Sequence, residues 1–148
     1  MYRFCYRMLR NEQDARDCTQ DTLMKVMRHL DRFKPQLRFS TWVFGIARNT
    51  CIDEYRRRKR LVSLPPDRDV KDNSPSPLDE TSRSGRAARL HEAMAQLPDM
   101  YREILVLYHF EHLKYSEIAD VLNIPMGTVM NRIFRARKRL RKLYGEEA

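Results

Sequence analysis

The chain has 148 residues, 42% of them hydrophobic, enough for one domain core or two small ones. Its 29 Lys and Arg against 20 Asp and Glu leave a net charge of +9, which points to a polyanion, either nucleic acid or an acidic membrane surface. No apolar run nears the ~18 residues needed to span a bilayer, and no signal-peptide pattern follows Met1, so membrane insertion is not expected. Cys5, Cys18 and Cys51 are odd in number and form no CxxC pair; they read as reduced, mostly buried thiols of a cytoplasmic protein. A Gly-rich phosphate loop, HExxH and GxSxG are all missing, so neither an enzyme nor a cofactor is expected. His109 and His112 lack a third ligand nearby, so no metal site is expected either.

In chain order, "NEQDARDCTQDTLMKVMRHLDRF" (residues 11–33) predicts a helix with Ala15, Cys18, Thr22, Val26 and Leu30 on one face. The opposite face carries Asp14, Asp17, Gln20, Asp21 and Lys25, an acidic strip in a basic neighbourhood. From periodicity alone it is either an ordinary solvated face or a docking face. Pro35 interrupts the pattern. "FSTWVFGIARNTCIDEYRRRKR" (residues 39–60) predicts a further helix, with Ser40 as its N-cap. Val43, Ile46, Ala47, Thr50 and Cys51 face inward, while Arg48, Asn49, Ile52, Arg56 and Lys59 form another side. Phe39, Trp42 and Phe44 are expected to cluster at its front. Aromatic rings beside a basic stripe suit single-stranded nucleic acid, because bases stack while cations follow the backbone. Trp42 alone fits a core position equally.

"PPDRDVKDNSPSPLDETSRSG" (residues 65–85) holds four of the seven prolines and little that could fill a core, so it reads as a flexible linker. Residues 1–64 carry 15 basic and 7 acidic side chains, net +8; residues 65–85 are net −2 and residues 86–148 net +3. The pattern predicts an all-α chain of two small helical domains, 1–64 and 86–148, able to engage two separated sites on one ligand.

In the second block, Leu90, Met94 and Leu97 repeat at helical spacing up to Pro98, and Tyr101, Ile104, Leu105 and Tyr108 mark another stripe. Ile118 and Leu122 mark a short helix, "NIPMG" a turn containing Pro125 and Gly127, and Val129, Ile133, Ala136 and Leu140 a longer basic helix. Short helix, tight turn and long helix make a helix-turn-helix. No acid occurs from Val121 to Gly145, whereas seven cations do. Thr128, Asn131, Arg132, Arg135, Lys138 and Arg139 are left for the outer face, where Arg135 suits guanine and Asn131 adenine in a major groove. Arg137, Arg141 and Lys142 suit phosphates or solvent.

The segments "DCTQDTLMKVMRHLDRF", "FSTWVFGIARNTCIDEYRRRKR" and "LPDMYREILVLYHFEHLKYSEIADVLNIPMGTVMNRIFRARKRLRKL" together resemble the two domains of bacterial extracytoplasmic-function (group 4) sigma factors. The likeness covers nearly the whole chain outside the linker. It implies that the first domain, region 2, binds the β′ clamp helices of core RNA polymerase and captures the melted −10 element. The second, region 4, would read the −35 element and touch the β-flap. By motif position the resemblance implies a β′-facing set of Asp17, Gln20, Asp21 and Lys25. Phe39, Ser40, Thr41, Trp42, Arg48 and Asn49 would lie by the −10 bases, with Arg56, Arg57, Arg58 and Arg60 near the backbone. Thr128, Asn131, Arg132, Arg135 and Lys138 would meet the −35 duplex. It also implies promoter DNA in duplex and single-stranded form as partner, and control by an anti-sigma factor.

The chain departs from the family pattern at several places. Members usually begin earlier, with helix packed beneath "YRFCYRML", so Met1 falls inside that helix. Met27 stands for a usual Trp, Arg16 for Glu, Gly45 for Arg, His112 for Gly and Met130 for a basic residue next to the DNA. Lys114 stands for a Ser that commonly caps the first helix of the helix-turn-helix, leaving Ser116 to substitute. Two other readings fit parts of the pattern: a degenerate sigma paralogue, and a stand-alone regulator using only the helix-turn-helix.

Overall fold

A computed structural model of the chain describes residues 1–62 and 85–145, and every regular element among them is helical. The expected linker lies outside the described residues except for Gly85, which opens a helix. The chain divides into two compact units, Met1–Ser74 and Pro75–Ala148.

The first unit contains α1 (Tyr2–Leu9), α2 (Glu12–Arg28), a 3₁₀ turn (Leu30–Arg32) and α3 (Phe39–Val62). Arg10, in the left-handed region at φ 57°, ends α1 with its N–H on the Tyr6 carbonyl. Asn11 then starts α2, its extended backbone letting Oδ1 accept the Asp14 N–H at 3.0 Å. All three helices share one core. Phe4, Cys5, Met8 and Leu9 come from α1, Ala15, Cys18, Thr22 and Val26 from α2, and Ala47, Thr50 and Cys51 from α3. Fully buried Ala15 and Ala47 leave no bulk between the helices that bear them, and burial of Phe4 contributes roughly 2 kcal/mol.

Two expectations shift here. The helix foreseen to Phe33 stops at Arg28, and Leu30, foreseen as core, is 54% exposed on the 3₁₀ turn. Ser40 is not the cap of α3: the Trp42 N–H bonds the Arg38 carbonyl at 3.2 Å, which puts Ser40 inside the first turn.

The second unit contains α4 (Gly85–Gln96), α5 (Asp99–Leu105), a π-helical turn (Val106–Phe110), α6 (Tyr115–Leu122) and α7 (Met126–Tyr144). Residues Tyr101 to Leu107 are all buried and form its centre, against Ile118, Val121 and Leu122 of α6 and Val129, Ile133 and Ala136 of α7. The π turn closes with the Glu111 N–H on the Val106 carbonyl and the Leu113 N–H on that of Leu107. His112 then adopts φ 57°, the conformation that the usual glycine takes without strain. Arg89 ties α4 to the end of α7, donating to the Tyr144 carbonyl at 3.0 Å and lying over the Tyr144 ring.

Candidate nucleic-acid and partner interfaces

On α2 the side away from the core presents Asp17, Gln20 and Asp21, all exposed, and continues into Met24 and Met27, 57% and 77% exposed. Asp17 accepts from Gln13 at 3.1 Å. Two members of the expected strip point elsewhere. Asp14 turns to α3, where its carboxylate lies 2.7 Å from Arg58 Nε; burial raises its pKa and the Arg58 charge opposes that rise. Lys25 is held between Asp21, at 3.3 Å, and the Thr50 hydroxyl, at 3.2 Å, so it braces α2 against α3. What remains outward is a band of carboxylates merging into flexible, polarisable methionines, a surface suited to a partner helix with basic and apolar side chains. Met24 and Met27 were legible as part of this face: both fall opposite Thr22 and Val26 at helical spacing.

The aromatic cluster differs in membership from the one expected. Phe33, Phe39 and Trp42 meet with ring centroids 5.4–5.8 Å apart, whereas Phe44 turns inward and meets Phe4 edge-on at 5.3 Å. Phe33 also lines an open concavity with Asp31, Arg32, Lys34, Pro35, Gln36 and Leu37. Along the outer side of α3, Trp42, Asn49 and Arg56 recur every seven residues, almost one above the other. Between Trp42 and Asn49 lies Gly45, where a Cβ would meet nothing within 4 Å. Arg48 donates to Asn49 at 3.4 Å.

Other members of the expected set are placed differently. Thr41 is 2% exposed and sits in the core, out of reach of a base. Arg57 is forked onto Glu54 at 2.7 and 3.1 Å, and Arg58 faces Asp14. Phe39 and Ser40 are exposed, as are Arg56 and Arg60.

In the helix-turn-helix, the Lys114 N–H that opens α6 is capped by the Glu117 carboxylate at 2.9 Å; Ser116 lies inside the first turn of α6, so it does not take the cap position of the missing serine. Asn123, at φ 54°, ends α6, and the Ile124 N–H bonds the Ala119 carbonyl. Pro125 caps α7, which starts at Met126; Gly127 therefore belongs to the first turn of α7 and not to the connection. Val129, Ile133 and Ala136 are buried as expected, and Leu140 is half-buried.

The outer face of α7 presents Asn131, Arg135 and Lys138, with Thr128 and Arg132 half-buried at one flank. The other flank is apolar: Met126, Met130 and Phe134 are 48%, 47% and 70% exposed. Phe134, next to Arg135, was not foreseen as a contact, yet it falls on the outward side at i+3 from Asn131. Two arginines lie over aromatic rings of the unit. Arg137 donates to His109 Nε2 at 3.3 Å and lies over the Tyr108 ring, and Arg139 lies over Tyr101. Arg137 is thus engaged within its own unit. His109 titrates below its ordinary range because of burial, then the Arg137 charge, then His112.

Comparison with known proteins agrees with this division. Residues 1–61 match the family model of sigma-70 region 2, and residues 87–140 that of sigma-70 region 4. The chain is 33% identical over 152 residues to the ECF RNA polymerase sigma factor SigW of Bacillus subtilis, with 96% of this chain and 81% of that protein covered. To the ECF RNA polymerase sigma factor SigE of Mycolicibacterium smegmatis it is 38% identical over 146 residues, covering 95% of this chain and 56% of that one. Among solved structures, the sigma factor RpoE of Bartonella quintana, in complex with the anti-sigma factor NepR, aligns with a TM-score of 0.82 and 27% identity, covering 96% of this chain and 88% of that one. A region 2 match over residues 1–61 leaves no room for a regulator built on the helix-turn-helix alone. With both regions present in order, and a relative matched over most of its length, the chain belongs to the extracytoplasmic-function family of RNA polymerase sigma factors.

Proposed function

We infer that the chain is the promoter-recognition subunit of a bacterial RNA polymerase, acting in the cytoplasm, and that its separate faces take separate ligands. Asp17, Gln20 and Asp21, with Met24 and Met27 beside them, meet the β′ clamp helices; Lys25 acts from behind by holding Asp21. The Phe33–Phe39–Trp42 rings and the concavity between Arg32 and Lys34 receive unpaired −10 bases, since an exposed ring next to cations suits a base that has left its stack. Ser40, Arg48, Asn49, Arg56 and Arg60 line the path of that strand. Thr128, Asn131, Arg132, Arg135 and Lys138 meet the −35 duplex, and Phe134 suits a thymine methyl group. The second unit also touches the β-flap. Control by an anti-sigma factor is carried over from the Bartonella quintana relative, which is held in such a complex.

One observation carries the reading: an acidic, methionine-bearing face stands on α2 in a block of net +8. A protein that bound only DNA would have no use for carboxylates there, because they repel phosphate. The test is fluorescence titration of core polymerase with the full chain and with Asp21→Arg. Charge reversal is expected to weaken core binding at least tenfold while leaving binding of a −35 duplex unchanged. Equal affinity of both chains for core would contradict the assignment of this face.

A further inference from the structure

Methionine is among the residues most often buried, yet five of the eight here, Met24, Met27, Met100, Met126 and Met130, are exposed. Met8 and Met94 are the two that pack into the cores. The largest of these exposures, 57% and 77%, belong to Met24 and Met27, one turn apart on α2. Leu23 of the same helix and Leu30 of the following 3₁₀ turn are exposed beside them. The carboxylate band of Asp17 and Asp21 therefore runs into an apolar patch with two thioethers at its centre. Leucine would give the same patch without a reactive atom. Sulfur is the one group on this face that a mild oxidant can change and a dithiol can restore.

We propose that Met24 and Met27 are a reversible oxidation site, and that their conversion to methionine sulfoxide blocks docking of the chain on core polymerase. The proposal rests on the reading of the α2 face as the polymerase-docking face. A thioether is apolar and flexible enough to mould itself to a partner helix, whereas a sulfoxide carries a strong S–O dipole that needs hydration. Covering that dipole with apolar partner side chains removes its water and supplies no donor in return. The fold itself is spared, because both side chains already face solvent in the free chain. Once docked they are covered, so oxidation acts on the free chain and not on the assembled polymerase.

The oxidant is hydrogen peroxide, which reaches both sulfur atoms from solvent. A sulfur lone pair attacks one peroxide oxygen and the O–O bond breaks. The departing hydroxide takes the proton left on the transferred oxygen, so one sulfoxide and one water form. Sulfur loses two electrons and the peroxide gains them. A reductase dithiol reverses the step: sulfoxide and two thiols give thioether, disulfide and water.

The experiment treats the full chain with hydrogen peroxide, destroys the excess with catalase, locates sulfoxides by peptide mapping and then titrates core polymerase by fluorescence. Met24 and Met27 should each gain one oxygen before buried Met8 and Met94 do, with the circular dichroism unchanged. Core affinity should fall roughly tenfold as two apolar contacts become polar. Methionine sulfoxide reductases for both sulfur epimers, supplied with dithiothreitol, should restore it, and dithiothreitol alone should not. Met24→Leu/Met27→Leu, compared with its own untreated form, should lose no affinity on the same exposure. Met24→Gln/Met27→Gln, polar without any oxidant, separates the two ideas. If it binds core as tightly as wild type, the reading of the α2 face is wrong and the proposal falls with it. If it binds weakly, that reading stands and three results would overturn the proposal alone. They are Met24 and Met27 staying reduced under peroxide that oxidises Met100, oxidised wild type binding core undiminished, and an equal loss of affinity in the leucine variant.

Discussion

Arg58 Nε of α3 stands 2.7 Å from Asp14 Oδ2 of α2, in the middle of a stretch where charged side chains were expected to face ligands. The pair is largely withdrawn from water, with side-chain exposures of 35% and 16%. Its N–H is not aimed squarely at the oxygen, so attraction between the charges, and not a well-formed hydrogen bond, holds it. The consequence is a division of labour within "RRRKR". Arg58 joins two helices of the fold, while Arg56 and Arg60 face outward.

Arg58→Ala should therefore act on stability before it acts on DNA. It leaves the Asp14 carboxylate half-buried without its cation, at a cost of about 1–2 kcal/mol, below the figure for a fully buried pair because a third of Arg58 faces water. Chemical denaturation should show the midpoint shift, and the double variant Asp14→Ala/Arg58→Ala should recover part of it. Single-strand affinity should fall more in Arg56→Ala than in Arg58→Ala.

Trp42→Ala should impair strand opening more than initial promoter binding. Stacking of an unpaired base on an aromatic ring is worth about 1–3 kcal/mol and exists only once the strands separate. Permanganate footprinting of the polymerase complex should show reduced thymine reactivity at the −10 element at unchanged occupancy. Equal reactivity with an easier-unfolding chain would instead assign Trp42 to holding Phe33 and Phe39 in place.

His112→Gly should stabilise the second unit. A non-glycine residue at φ 57° costs about 1–2 kcal/mol, partly offset by the extra freedom of glycine in the unfolded chain. The net gain should be roughly 0.5–1 kcal/mol, visible as a rise of a few degrees in the melting temperature.

Acid should weaken the second unit through His109. Burial and the neighbouring Arg137 hold its pKa below the ordinary 6.5, so the unfolded chain takes up this proton before the folded one does. Stability is unaffected well above that value and falls as pH drops below it, until the folded imidazole is also protonated. Calorimetry from about pH 7.5 to about pH 5.5 should show the decline, and it should be smaller in His109→Gln, which can still accept from Arg137.

Much of this architecture was readable because apolar spacing reports directly on which side of a helix is covered. Val129, Ile133 and Ala136 recur at steps of four and three, and all are buried. The same spacing cannot tell which neighbour a side chain meets. Phe39, Trp42 and Phe44 lie close in sequence, but successive helical positions are ~100° apart, so Phe44 met Phe4 while Phe33, beyond Pro35, completed the cluster. Arg57 and Arg58 looked alike in a basic run until Glu54 and Asp14 claimed them. Thr41 looked polar and available, but it lies on the covered side of the first turn of α3. A π turn leaves no mark in periodicity; the one hint was His112 in the place of a glycine.

The central claim is that one face of α7 reads a promoter sequence while α3 holds the melted strand, both on the same polymerase. Selection of transcribed promoters from a randomised library, by core polymerase with the full chain, tests it most directly. Wild type should enrich two sequence blocks at a fixed spacing. Arg135→Ala should lose preference at one base pair of the upstream block, a change of about 1–3 kcal/mol, with the downstream block unaltered. Arg141→Ala, exposed near the end of α7, should lower yield on all promoters alike. No enrichment by wild type, or the same uniform loss from both arginine variants, would contradict the account.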